Sequence, residues 1–275
     1  MSNKRTKESL IRIPETLRKV KNIFGVFSAK GGVGKSEISL NLAISLATQG
    51  HKVGLLDADI YGPSQHLLLS SADEEIDVKD QKLLSPLLKR NIKFISMGLI
   101  AKNKKPVIWR GPMVSGAVMQ LMSQTDWQEL DFLIIDTPPG TGDIQLTLLQ
   151  KLPIDGALIL TTPQEVSISD TKKGIEMIKK LDLPIIGLIE NMSYFQPNDS
   201  DKKYFLFGRG GGKKITNEYN IELLSEIPLC EKEEIKILYD LEDYKCIFDN
   251  ISSKIIEHLI NIKRNVVPII PQKNE

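Results

Sequence analysis

Residues 27–43 read FSAKGGVGKSEISLNLA, a glycine-rich turn set between an apolar run and a stretch with helical spacing. Gly31, Gly32 and Gly34 let successive main-chain N–H groups turn toward one point without Cβ clashes. The helix opening at Ser36 adds its positive N-terminal end, so strand, turn and helix together form a phosphate cradle. In this pattern Lys35 places its ammonium on the β and γ phosphates, and the Ser36 hydroxyl takes a Mg²⁺ ligand position. Ala29 stands where the general pattern has glycine. It costs little if its backbone is extended or helical, and fits poorly if φ is positive. A second lysine, Lys30, precedes Lys35 by five residues, and one phosphate cradle does not account for both.

Working outward, short β-branched runs alternate with helical stretches. Strands are expected at 23–28, 52–57, 92–97, 131–136, 156–161, 183–190 and 221–228. Several are apolar on successive residues, as in strands covered on both faces. Helices are expected at 36–49 (closed by Gly50), 112–123, 144–151, 166–181 and 248–262. The alternation predicts an α/β P-loop NTPase, a mostly parallel twisted sheet with helices on both faces. One domain is expected over 22–264, after a basic segment 1–21 and before a tail 265–275. Residues 70–90 and 196–203 are polar and read as surface excursions.

Lys and Arg number 36 against 35 acids, a net charge of +1, which argues against a nucleic-acid partner. No run approaches the ~18 apolar residues that cross a bilayer, and no secretory signal is visible, so the expectation is cytoplasmic with no membrane partner. The two cysteines, Cys230 and Cys246, read as reduced thiols buried as small apolar residues.

Two acidic segments complete the site. In LLDADIYGPS (55–64), Asp57 and Asp59 share one side of an extended chain, at the strand end where a parallel sheet binds ligands. Asp57 is assigned to the Mg²⁺ water shell and Asp59 to orienting the attacking water. A turn-capping role for Asp57 stays open. In FLIIDTPPG (132–140), four apolar residues deliver Asp136 to a strand tip, where it binds Mg²⁺ through water. Pro138, Pro139 and Gly140 form a stiff turn able to sense a γ-phosphate, and Asp143 reads as a cap of the next helix.

KGGVGKS resembles the deviant phosphate loop of the ParA/MinD ATPases, whose loops accept a non-glycine residue at the position of Ala29. That resemblance implies that Lys30 crosses a dimer interface to the phosphates held by the other subunit. Further segments narrow the likeness: DADIYGPSQ, WRGPMVSGAVMQL (109–121), DFLIIDTPPGTGDIQL, TTPQEVSISDTKKGIEM (161–177), GLIENMSYF (187–195) and FGRGGG (207–212). Together they resemble the Mrp/ApbC iron–sulfur cluster carriers from about residue 20 to 229. The resemblance implies a homodimer that binds ATP and Mg²⁺, hydrolyses ATP, and works with assembly scaffold proteins and apo iron–sulfur proteins. It places the nucleotide on Ala29, Lys30, Gly31, Gly32, Val33, Gly34, Lys35 and Ser36. Catalysis falls to Lys30, Lys35 and Asp59, and Mg²⁺ to Ser36, Asp57 and Asp136. It also implies that Asn191 reads the adenine, although a turn former fits that position too, and that Gln164 and Glu165 lie near the nucleotide.

In the resembled family a CxxC pair follows NMSYF, and two subunits share one cluster. Here residues 191–208 read NMSYFQPNDSDKKYFLFG, so those ligands are absent. An alternative reading is a MinD/ParA-like switch for positioning or scaffolding that holds no cluster. It draws on the apolar spacing of Ile251, Ile255, Ile256, Leu259 and Ile260, a pattern equally suited to a docked helix. A small-molecule kinase or amidoligase would need an acceptor motif, and none is visible.

Overall fold

Strand β1 (Val20–Ser28) is buried at six consecutive residues, 23–28, because it runs through the middle of an eight-stranded sheet. A computed structural model describes residues 14–79, 83–101, 111–197, 199–230 and 237–261, leaving aside the side chains of 101, 111 and 112. Most of the basic segment 1–21, the WR of WRGP, Asn198 and the tail 265–275 lie outside the described residues. The other strands are β2 (Val53–Asp57), β3 (Leu87–Lys89), β4 (Ile92–Ser96), β5 (Leu130–Asp136), β6 (Gly156–Thr161), β7 (Ile185–Glu190) and β8 (Leu223–Glu226). Their spatial order is β3-β4-β2-β5-β1-β6-β7-β8, with every pair parallel except β3 and β4. All seven expected strands are present, and β3 is an addition inside the polar stretch 70–90.

The helices are α1 (Lys35–Thr48), α2 (Gln65–Leu68), α3 (Met97–Ala101), α4 (Gly111–Gln124), α5 (Asp143–Lys151), α6 (Glu165–Lys180), α7 (Gly211–Tyr219) and α8 (Glu242–Asn261). Alternate strand residues serve opposite faces. Phe24, Val26, Leu55, Ile134 and Leu158 pack under α1 and α8, while Ile23, Leu56, Leu133 and Ile135 pack under α4 and α5. Phe27, Ala157 and Ile159 meet α6 and α7 on that second face. Burial on both faces is why these strands are apolar at nearly every position.

Helix α1 ends as expected: Gly50 has φ +91°, a left-handed conformation that glycine adopts without strain. Asp143 does not cap α5. Gly142 holds the cap position, and Asp143 is the first helical residue, where a negative charge still favours the helix end. Helix α8 starts six residues before the expected Phe248. It is joined to α1 by Ser45 Oγ donating to Asp249 Oδ1 (2.6 Å) and by Ser252 Oγ donating to Ser45 Oγ (2.9 Å). Tyr239, just before α8, donates its main-chain N–H to Asn41 Oδ1 (2.7 Å) and its hydroxyl to Asp249 Oδ1 (2.9 Å).

Candidate functional site

The parallel register fixes the acidic centre. Asp136 at the end of β5 pairs laterally with Asp57 at the end of β2, and Asp57 with Ser96 at the end of β4. The loop after β1 arrives at the same edge, where the sheet order splits β2 from β6 on either side of β1 and β5. A ligand crevice is expected at such a switch point.

The phosphate loop has the conformation its glycines allow. Gly32 and Gly34 have φ of +77° and +85°, whereas Ala29 is not among the residues with positive φ, so the alanine is unstrained. Gly34 also has no room for a side chain, since a Cβ there would lie 2.4 Å from Asn191 Nδ2. Asn191 is buried behind the loop and donates Nδ2–H to the Val33 carbonyl at 2.9 Å. Its amide thus supports the loop from beneath.

Lys35 is buried and its Nζ lies 2.5 Å from Asp136 Oδ1. Ser39 Oγ also donates to Asp136 Oδ1 (3.3 Å), and Gln65 Nε2 donates to Asp136 Oδ2 (2.9 Å). Gln65 Nε2 further donates to the Ser36 carbonyl at 2.9 Å, tying loop, acid and α2 together. Asp57 is fully buried and accepts from the main-chain N–H groups of Asp59, Ser64 and Gln65 and from Ser96 Oγ. It therefore organises the 58–64 loop while sitting beside Asp136. Asp59, almost fully buried, accepts from the N–H groups of Tyr61 and Gly62. Lys30 is half-buried and has no hydrogen bond or ion pair among the described residues.

Glu165 opens α6 and is exposed, with Gln164 at its cap position, both at the carboxyl end of β6. Gly140, in the stiff turn after β5, donates its N–H to the Ser28 carbonyl at 2.9 Å, so that turn is bound to the base of the phosphate loop. Gln65 opens α2 at the end of the segment DADIYGPSQ, where the sequence alone assigns it no role.

Burial, then the neighbouring Asp136 charge, pushes the Asp57 carboxyl up from its ordinary value to about 7, against the opposing pull of Ser96, the Gln65 N–H and Lys35. The folded protein thus holds a proton that the unfolded chain releases near 3.8. This contribution to stability is complete below that lower value and disappears as pH rises through about 7. The nucleotide-free protein should lose up to about 1.4 kcal/mol of stability per pH unit across this window from Asp57 alone. Chemical denaturation at pH 5 and pH 7.5 should show a smaller loss in Asp57→Asn than in the parent. Parallel losses would remove Asp57 as the source.

The oxygen donors Ser36, Asp57 and Asp136 suit a hard divalent cation bound together with phosphates. Among the described residues no group of three His, Cys, Asp or Glu side chains could hold a metal by itself. The segment after β7 offers no thiolate. Phe195 and Tyr204 close it as an antiparallel bridge, Lys203 Nζ lies 4.0 Å from the Tyr194 ring centre, and Arg209 Cζ lies 4.6 Å from that of Phe205. Cys230 packs partly buried against the main core, as expected, but Cys246 is exposed on α8, contrary to the expectation of burial.

Over residues 19–267 the chain matches the family described as ParA, NUBPL iron-transfer P-loop NTPase. It is 48% identical over 214 residues to a Pseudomonas fragi protein named iron-sulfur cluster carrier protein, covering 78% of this chain and 75% of that one. A Methanocaldococcus jannaschii protein of the same name is 50% identical over 220 residues, covering 79% and 76%. For the Escherichia coli K12 protein of that name the values are 44% over 210 residues, 76% of this chain and 57% of that one, so this chain spans little more than half of it. Among solved structures, an Archaeoglobus fulgidus nucleotide-binding protein in complex with ADP superposes with a TM-score of 0.70 at 33% identity, covering 87% and 90% of the two chains. The cell-division ATPase MinD of Pyrococcus furiosus (TM-score 0.61, 21% identity, 86% of this chain and 99% of that one) shares the fold.

Proposed function

The chain belongs to the ParA family of NUBPL-type iron-transfer P-loop NTPases, and from that premise we propose that it is a homodimeric ATPase that delivers iron–sulfur clusters to apo-proteins. The observation that carries this reading is the buried Lys35–Asp136–Gln65–Ser36 network at the carboxyl edge of the sheet, beneath a loop whose Gly31 and Gly32 are exposed. Residues 29–36 cradle the phosphates, with Asn191 supporting the loop beside the adenine end. Ser36, Asp57 and Asp136 hold Mg²⁺, which neutralises charge on the phosphates when bound. Lys35 moves between Asp136 and the phosphates, Asp59 orients the attacking water, and Lys30 reaches the active site of the partner copy. The work is done in the cytoplasm, where the two thiols stay reduced.

The relatives' names support cluster carriage over a membrane- or DNA-positioning switch. The fate of α8 adds a physical reason. Ile251, Ile255 and Leu259 are buried in the core and Ile256 packs against it, which leaves only Ile260 of that apolar spacing exposed. A stripe spent on α1 is not available as an amphipathic anchor. No described helix is long and apolar enough to cross a membrane.

Anaerobic reconstitution with iron and sulfide, followed by transfer to an apo-ferredoxin, tests the cargo. We expect a weak, labile chromophore that is lost in Cys230→Ser and passes to the acceptor faster with ATP. Transfer that ignores ATP, or an acceptor that is never loaded, would overturn the carrier reading. A stable cluster in protein lacking both Cys230 and Cys246 would show that other ligands are used.

A further inference from the structure

Gln65 is fully buried, and its side-chain orientation is fixed by chemistry. Its two hydrogen-bond partners, the Ser36 carbonyl and Asp136 Oδ2, are acceptors at 2.9 Å each, so the NH₂ group must face them. The carbonyl Oε1 is then the other arm of the same planar amide, and it is buried with no partner among the described residues. Ser64 Oγ, one residue earlier in the chain, is likewise buried and without a partner among the described residues. The Gln65 main-chain N–H meanwhile binds Asp57 Oδ2 at 3.1 Å. One residue therefore bonds to Asp57, to Asp136 and to the main chain of Ser36, the three residues assigned to the cation, and its amide keeps one buried acceptor without a partner among the described residues. A buried acceptor loses its hydration on folding and is worth keeping only where a donor arrives.

We propose that Gln65 is a positioning residue of the divalent-cation site, its amide clamping Ser36 to Asp136 while its carbonyl accepts a hydrogen bond from a cation-bound water. This rests on the Mg²⁺–nucleotide reading above. A cation's outer partners typically change metal affinity by about 10–100-fold when removed.

The test is a fluorescent-ADP titration of the full chain, first in EDTA and then across a Mg²⁺ series, for the parent, Gln65→Met and Gln65→Asn. Methionine removes both polar functions, and asparagine keeps them on an arm one methylene shorter. We expect the Mg²⁺ half-saturation to rise about tenfold or more in Gln65→Met, beyond any change in the affinity measured in EDTA. A Mg²⁺ half-saturation within about threefold of the parent's, whatever the affinity in EDTA, would mark a merely structural residue and overturn the proposal. Should Gln65→Met fail to fold, Gln65→Asn decides alone: a rise of about tenfold supports the proposal, and a value within about threefold of the parent's refutes it. A parent protein that binds no nucleotide at all would instead sink the nucleotide reading itself.

Discussion

Replacing Lys35 with alanine is expected to weaken ATP binding by about 30-fold or more, because truncating one member of a desolvated charge pair costs roughly 2–5 kcal/mol. The same change should destabilise the nucleotide-free protein. Asp136 is fully buried, and without the ammonium 2.5 Å away it keeps only the Ser39 and Gln65 side chains as partners among the described residues. An orphaned buried charge costs about 3–5 kcal/mol. The two effects separate in a double variant. Lys35→Ala with Asp136→Asn should regain most of the lost melting temperature, since no charge is left uncompensated, yet still fail to bind ATP. Isothermal titration and thermal denaturation of the parent and both variants check both parts. ATP affinity equal to the parent's in Lys35→Ala would refute the phosphate-loop assignment outright.

Lys30→Ala is expected to behave in the opposite way, sparing binding and suppressing turnover. Lys30 has no structural partner among the described residues, so its loss should leave the melting temperature unchanged. A cation donated across an interface to a transferring phosphoryl group is worth about 10³–10⁵ in rate. Phosphate release should accordingly fall at least about 10³-fold while ATP affinity stays within a few-fold. Mixing provides the sharper measurement. In the proposed dimer, Lys30 acts on the partner's nucleotide and Asp59 on its own. Lys30→Ala and Asp59→Ala are each inactive alone, but a mixed pair carries one complete site. Random exchange in a symmetric dimer then restores about one quarter of parental activity. No recovery on mixing, with exchange confirmed, would place Lys30 on its own subunit's nucleotide or outside the reaction.

How much of this was readable from residues alone follows the physics of each element. Seven strands are legible because burial on both faces makes them continuous apolar runs, which a short edge element cannot offer. β3 is three residues long with none of them buried, so it hides in a polar stretch. α7 hides behind its own glycines, since GRGGG reads as loop. The structure uses them for contact: a Cβ on Gly211 would meet Ile168 at 2.3 Å, and one on Gly212 would meet Glu190 atoms at 3.1–3.2 Å. The phosphate loop is legible because its conformation demands particular residues in a fixed order. Asp57, Asp59 and Asp136 are legible only through their position behind that loop. Gln65 and Ser39 carry no local signature. Their importance lies in what the parallel register brings near them, and a lone chain does not display that.

The Ser45–Asp249–Tyr239 bonding between α1 and α8 has a mechanical corollary. The helix that begins at the phosphate loop is keyed to its neighbour by buried polar teeth as well as by packing, so it has no free stroke along its axis. Any displacement of the phosphate-loop helix therefore carries the last described helix of the fold with it, and the two form one mechanical unit behind the candidate site.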